Sequence, residues 1–132
     1  MKYRLMDILA CPICKTFPLK LIVFNEKTYD YDVQPSKDVV CEEYCGLNRE
    51  YVSKLSRELL DCKSCLKREV AEGILICEKC LRWYPIIDEI PHMLPDELRD
   101  KDEDLAFLKK YRDRIPEEIL TSGKPWNLSS PQ

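Results

Sequence analysis

The chain is short of glycine and histidine and has no long apolar run. Each shortage removes a class of function. Three glycines in 132 residues leave no glycine-rich loop to cradle a phosphate on backbone N–H groups. His92 is the only histidine. No Ser/His/Asp set with usable chemistry is present, and a lone histidine reads as a solvated or capping residue. No stretch of about eighteen apolar residues occurs, so no membrane span is expected. Residues Met1–Ala10 carry Arg4 and Asp7 among their apolar side chains, too short and too charged for a secretory leader. Positive charge is not in excess either: 21 Lys and Arg face 24 Asp and Glu, for a net charge of -3. Nucleic-acid binders draw most of their affinity from neutralised phosphates, so strong direct binding to nucleic acid is not expected. A cytoplasmic location is the reading these features favour.

What the chain does have is cysteine. Eight cysteines fall into four pairs: Cys11/Cys14, Cys41/Cys45, Cys62/Cys65 and Cys77/Cys80. In a reducing compartment such a set favours metal over disulfides. A two-residue gap lets both thiolates of a pair reach one ion, and two pairs complete a tetrahedron. Such a site is closed, whereas catalytic zinc keeps an open position, so activity of the chain's own is not expected. The pairing is open on spacing alone. Eleven residues separate Cys65 from Cys77, an ordinary distance within a zinc ribbon. The nested alternative joins Cys11/Cys14 to Cys77/Cys80 and leaves the inner four to close on each other. Internal similarity speaks for nesting. Cys11-Pro-Ile-Cys14 is followed by Pro18 and a strand, and Cys77-Glu-Lys-Cys80 by Pro85 and a strand.

Periodicity fills in the rest. Tyr3–Leu9 has the apolar spacing of one or two helical turns. Leu19–Phe24 reads as a buried strand, Asn25–Thr28 as a turn, and Tyr29–Val33 as its hairpin partner. Gln34–Lys37 is a break. Leu47, Tyr51, Leu55 and Leu59 recur every four residues, which predicts a helix over Asn48–Leu60. Lys67–Ile76, Arg82–Ile87 and Ile90–Leu94 read as strands. Glu72-Gly73 marks a turn or bulge, and Pro85 and Pro91 suit sheet edges. Asp96–Ile115 predicts an amphipathic helix, Pro116 with Glu117 and Glu118 the first turn of a short second one, and Lys124–Gln132 a tail. Trp126 stands out in it, as a contact residue or one that folds back.

Two stretches carry a resemblance: MDILACPICK at the start, and EGILICEKC followed by RWYPI, DEIPHMLP and DELR. Over about residues 1–24 and 67–99 the chain resembles the small zinc-binding activator subunits of methyltransferases. In archaea and eukaryotes these partner enzymes that methylate tRNA, rRNA and a translation release factor. Leu81 and Glu89 stand where that family often has glycine.

The resemblance implies a zinc-ribbon-like sheet, and the periodicity adds the helices, so the expected fold is α+β: a zinc-ribbon-like small antiparallel sheet with an inserted helical unit and a C-terminal helix. Residues 1–33 and 66–95 would form the core, 34–65 the insert bounded by cysteines, and 96–132 the C-terminal helices and tail. It implies one zinc ion on Cys11, Cys14, Cys77 and Cys80. Cys41, Cys45, Cys62 and Cys65 are left as a second zinc site, disulfides or free thiols. The partner would be a Rossmann-like S-adenosylmethionine-dependent methyltransferase, bound as a heterodimer by sheet-edge pairing. The surface for it would be Trp83, Ile90, Pro91, His92, Met93 and Leu94. The expected function is thus a non-catalytic activator in tRNA or translation-factor methylation. The rivals are a zinc-ribbon nucleic-acid-binding module and a rubredoxin-like iron protein.

Overall fold

Ile74, Leu75 and Ile76 are apolar without alternation, the pattern of a strand covered on both faces. The computed structural model, which describes residues 1–30, 32 and 39–129, places them inside a sheet. Four antiparallel strands run in the order β1-β4-β5-β6, with β1 at Lys20–Thr28, β4 at Arg68–Ile76, β5 at Trp83–Ile87 and β6 at Ile90–Pro91. Leu75, Cys77, Tyr84 and Ile86 enter one core with Met6, Cys11 and Leu19. Ile74, Ile76 and Trp83 enter a second core with Leu105, Phe107 and Leu108. A 3-10 turn at Tyr3–Asp7 belongs to the first side. Helices α2 (Lys101–Lys110) and α3 (Glu117–Ser122) belong to the second. Each fully buried Leu or Ile contributes about 1.5–3 kcal/mol, so both faces matter to stability. The antiparallel sheet with helices agrees with the α+β zinc-ribbon-like expectation.

The expected turn at Asn25–Thr28 is instead strand. β1 continues through it, pairing Thr28 with Arg68, and absorbs register shifts between Val23 and Glu26. Arg68 holds the Glu26 carboxylate through two N–H groups at 2.9 and 3.0 Å, and Tyr3 donates to the same carboxylate. That anchor outweighs the turn preference of Asn25. Burial would raise the Glu26 pKa, but the hydrogen bonds from Arg68 and Tyr3 and the Arg68 charge bring it below the ordinary value. Tyr31 and Val33 of the expected second hairpin strand, and all of Gln34–Lys37, lie outside the described residues. Gly73 sits opposite Val23, and a Cβ there would meet the Ile22 carbonyl at 2.6 Å. The irregularity expected at Glu72-Gly73 thus lies in the ladder, and β4 itself does not turn.

The insert departs most from expectation. No helix spans Asn48–Leu60. The chain makes a small β2–β3 hairpin (Tyr44–Cys45 with Glu50–Tyr51), two 3-10 turns at Val52–Lys54 and Arg57–Leu59, and the one-turn helix α1 at Cys62–Cys65. Arg49 has φ 55, and Tyr51, Leu55 and Ser56 are extended. Gly46 lets the hairpin approach the N-terminal turn, since a Cβ there would meet the Tyr3 carbonyl at 2.4 Å.

The long C-terminal helix is also divided. A 3-10 turn covers Asp96–Leu98, Arg99 is extended, and α2 starts after Asp100, whose side chain accepts from the Glu103 N–H. The short second helix after Pro116 forms as expected. Trp126 folds back: its indole N–H donates to Asp104 at 2.8 Å, and its carbonyl accepts from the Trp83 indole at 3.0 Å.

Candidate metal centre and sheet edge

The two outer Cys-x-x-Cys pairs are built alike. The N–H of Lys15 donates to the Cys11 carbonyl and that of Leu81 to the Cys77 carbonyl, both at 2.9 Å. Each knuckle closes by a bond from its first cysteine N–H, to Thr16 at 2.9 Å and to Arg82 at 2.8 Å. Lys15 (φ 64) and Leu81 (φ 63) are both left-handed, at the position after the second cysteine where glycine is the common choice. A side chain in that region costs roughly 1–2 kcal/mol, partly offset because glycine loses more freedom on folding. Lys15→Gly is therefore expected to raise stability by about 0.5–1 kcal/mol. Thermal unfolding of the metal-loaded protein measures this, and an unchanged or lower midpoint contradicts it.

The sequence-distant pairs meet. The sulfurs of Cys11, Cys14, Cys77 and Cys80 all lie within 4.8 Å of one another. Cys14 and Cys77 are 3.3 Å apart, Cys11 and Cys80 3.7 Å. Zinc–sulfur bonds of about 2.3 Å give tetrahedral edges of about 3.8 Å, so these four residues could hold one zinc ion. Two hydroxyls support the sulfurs: Thr16 lies 3.1 Å from Cys14 and Tyr84 3.4 Å from Cys11. Hydrogen bonds from the Thr16 hydroxyl and backbone bring the Cys14 thiol down to about 6. Burial pushes Cys77 up to about 12. Burial also opposes ionisation of Cys11, but bonds from the Cys14 backbone and Tyr84 lower it. Cys14 is thus poised to meet a metal ion as thiolate near neutral pH, whereas Cys77 would lose its proton on binding.

The inner cysteines also converge, less tightly. Cys41, Cys45, Cys62 and Cys65 line one cavity of about 20 Å³ together with Val39, Leu47, Asn48, Val52, Leu60 and Asp61. No disulfide joins any of the four. Burial first, then the Asp7 carboxylate and the other three sulfurs, push Cys41 up to about 12. Burial, Cys45 and Cys62 push Cys65 up to about 11.

At the other end of the sheet, β6 pairs with β5 across a two-residue turn, Ile87 opposite Ile90 and Ile86 opposite Pro91. Asp88 (φ 49) and Glu89 (φ 68) are both left-handed, the requirement of the tight turn that matches strand twist. The His92 N–H donates to the Pro85 carbonyl at 2.9 Å. Ile90 is 58% exposed, Leu94 40% and Leu98 65%. Pro91, His92 and Met93 are half-buried, and Met93 packs against the first core. Trp83 differs from the others in the expected partner surface. It is fully buried, stacked on Phe107 at 5.9 Å, because its position in β5 points it to the helix side.

A ribbon of two facing knuckles on a small antiparallel sheet defines a structural four-thiolate metal-binding protein. The model of the Trm112p-like protein family matches residues 2–89, two thirds of the length, and the chain belongs to that family. Its role is accordingly that of a methyltransferase activator in general terms, a regulatory subunit with methyltransferases as partners. No curated protein matches the chain. No helix is long and apolar enough to cross a membrane among the described residues.

Proposed function

We propose that the chain binds a Rossmann-like S-adenosylmethionine-dependent methyltransferase through β6, extending the enzyme's sheet across a heterodimer interface. The observation that carries this is the end of the sheet at Ile90–Pro91, with Ile87, Ile90 and Leu94 exposed beside it. An exposed apolar strand edge is an aggregation hazard unless paired or blunted. Pro91 lacks one backbone donor, which blunts the edge only in part. Main-chain pairing would supply affinity, and alternate side chains would supply fit. Ile90, Pro91, His92, Met93 and Leu94 would form the contact, with the outer cysteines fixing the sheet behind them. The methyl donor and the catalytic groups would belong to the partner, and the methylated substrates would be tRNA or translation factors.

Co-expression of the full chain with candidate methyltransferases tests the reading. The wild-type chain is expected to co-purify one to one with its enzyme and to raise the enzyme's solubility and cofactor binding. Ile90→Lys combined with Leu94→Asp is expected to weaken the complex by about 2 kcal/mol, roughly 30-fold. Leu59, 62% exposed on the insert, gives the control: Leu59→Lys should leave binding unchanged. Equal loss from both variants, or none from the edge variant, sinks the proposed surface.

A further inference from the structure

We propose that Cys41, Cys45, Cys62 and Cys65 form a second mononuclear zinc site that staples the insert. The backbone already presents the two pairs to each other. Cys62 and Cys65 sit three apart on α1, so both point to one helix face. Asp61 caps this turn by accepting from the Ser64 N–H at 3.1 Å. On the opposite side, the Asp7 carboxylate takes the N–H groups of Glu42, Glu43 and Tyr44 at 2.8–2.9 Å. That clamp fixes the approach to Cys45. The Asn48 side-chain amide donates to the Cys45 sulfur at 3.2 Å, the second-sphere bond expected around a thiolate ligand.

The cavity between the pairs selects the occupant. At about 20 Å³ it has room for one water-sized body. Sulfurs and aliphatic side chains dominate its wall, and a buried water needs two to four polar partners. One soft-ligand metal ion fits that size and chemistry. The inner sulfurs do not yet have the mutual 4.8 Å spacing of the outer four. One rotamer change moves a cysteine sulfur by about 3 Å, and metal binding would draw the four sulfurs together by such changes. Binding converts four S–H groups to four zinc–thiolate bonds and releases four protons to solvent, with no change of oxidation state.

The full chain, purified under reducing conditions from zinc-supplemented cells, should carry two zinc ions by elemental analysis. Reconstitution with Co²⁺ should saturate at two equivalents, both with thiolate-to-metal absorption. Cys62→Ser with Cys65→Ser should lose one equivalent and keep the other. In the wild-type protein the inner cysteines should resist alkylation until a chelator is added, a readout that needs no variant to fold. One zinc with freely alkylated inner cysteines overturns the site. So does a disulfide within the inner four, iron with acid-labile sulfide, or an unchanged count in the double variant. None of these readouts involves a methyltransferase, so the outcome is independent of the partner reading.

Discussion

Replacing Cys77 by serine, or stripping zinc from the outer centre with a strong chelator, is expected to unfold the sheet. Structural zinc contributes about 10–16 kcal/mol to small domains, against a total stability of about 5–15 kcal/mol for a typical domain. The geometry says why the loss spreads. Cys77 continues directly from β4, and Cys11 and Cys77 are both fully buried in the first core. An ion held by the four sulfurs would tie the N-terminal segment to the β4–β5 connection across sixty-two intervening residues. Without it, the knuckles hold only their own short hydrogen bonds. Lost near-ultraviolet dichroism, together with red-shifted emission from the buried Trp83, would report the unfolding. A cooperative thermal transition persisting near its original midpoint in the metal-free chain would refute the expectation.

Acid should act in the same direction. In the metal-free site Cys14 ionises at about 6 and Cys77 at about 12. Near neutral pH, binding must therefore displace the Cys77 proton. Below about 6 it must displace that of Cys14 as well. Zinc affinity falls as pH falls, and the stability that depends on zinc falls with it.

The outer knuckles were legible because their signal is local. Two residues between cysteines, proline a few positions on, and an apolar run behind are all fixed by one tight turn. The buried strand at Ile74–Ile76 was legible for a similar reason: three apolar residues in a row have no exposed face. The insert was not legible, and the reason is spatial. Leu47, Tyr51, Leu55 and Leu59 keep a helical spacing, but a helix over Asn48–Leu60 would be about 20 Å long. It would hold Cys41 and Cys45 away from Cys62 and Cys65. The chain instead breaks at Arg49 and wraps the four sulfurs around a common cavity, leaving Leu59 in solvent. Cysteines at both ends of a periodic stretch were the sign that closure would override periodicity.

The break in the C-terminal helix had a readable sign too. Asp100 stands three residues before Glu103, the spacing of a helix start, and Leu98 belongs to no core. What no pattern revealed was Arg99. A charged residue within a run of charges reads as solvated surface, yet its side chain is almost fully buried. Its partner Asp104 lies five residues on, and the two are brought together by the extended backbone at Arg99.

That pair carries the second large effect. Arg99 donates to the Asp104 carboxylate at 2.8 Å and to the Trp83 carbonyl at 2.6 Å. Its guanidinium lies 4.6 Å from the centre of the Trp83 ring. Asp104 also receives the Trp126 indole N–H at 2.8 Å. One carboxylate thus joins the sheet, α2 and the C-terminal segment that runs parallel beside the start of β5. Arg99→Ala leaves that carboxylate buried with a single neutral donor. The expected cost is about 3–5 kcal/mol, the loss seen when one member of a buried ion pair is removed. Asp104→Ala should cost a similar amount, since it strands the guanidinium. Arg99→Met with Asp104→Leu should recover most of the loss, because an apolar replacement of the whole pair removes the desolvation penalty as well as the attraction. Urea unfolding of the three zinc-loaded variants measures the cycle. A loss under about 1 kcal/mol from either single variant, the range of a surface pair, would mean that the pair is solvated and that packing around Trp83 and Phe107 alone holds the helices to the sheet.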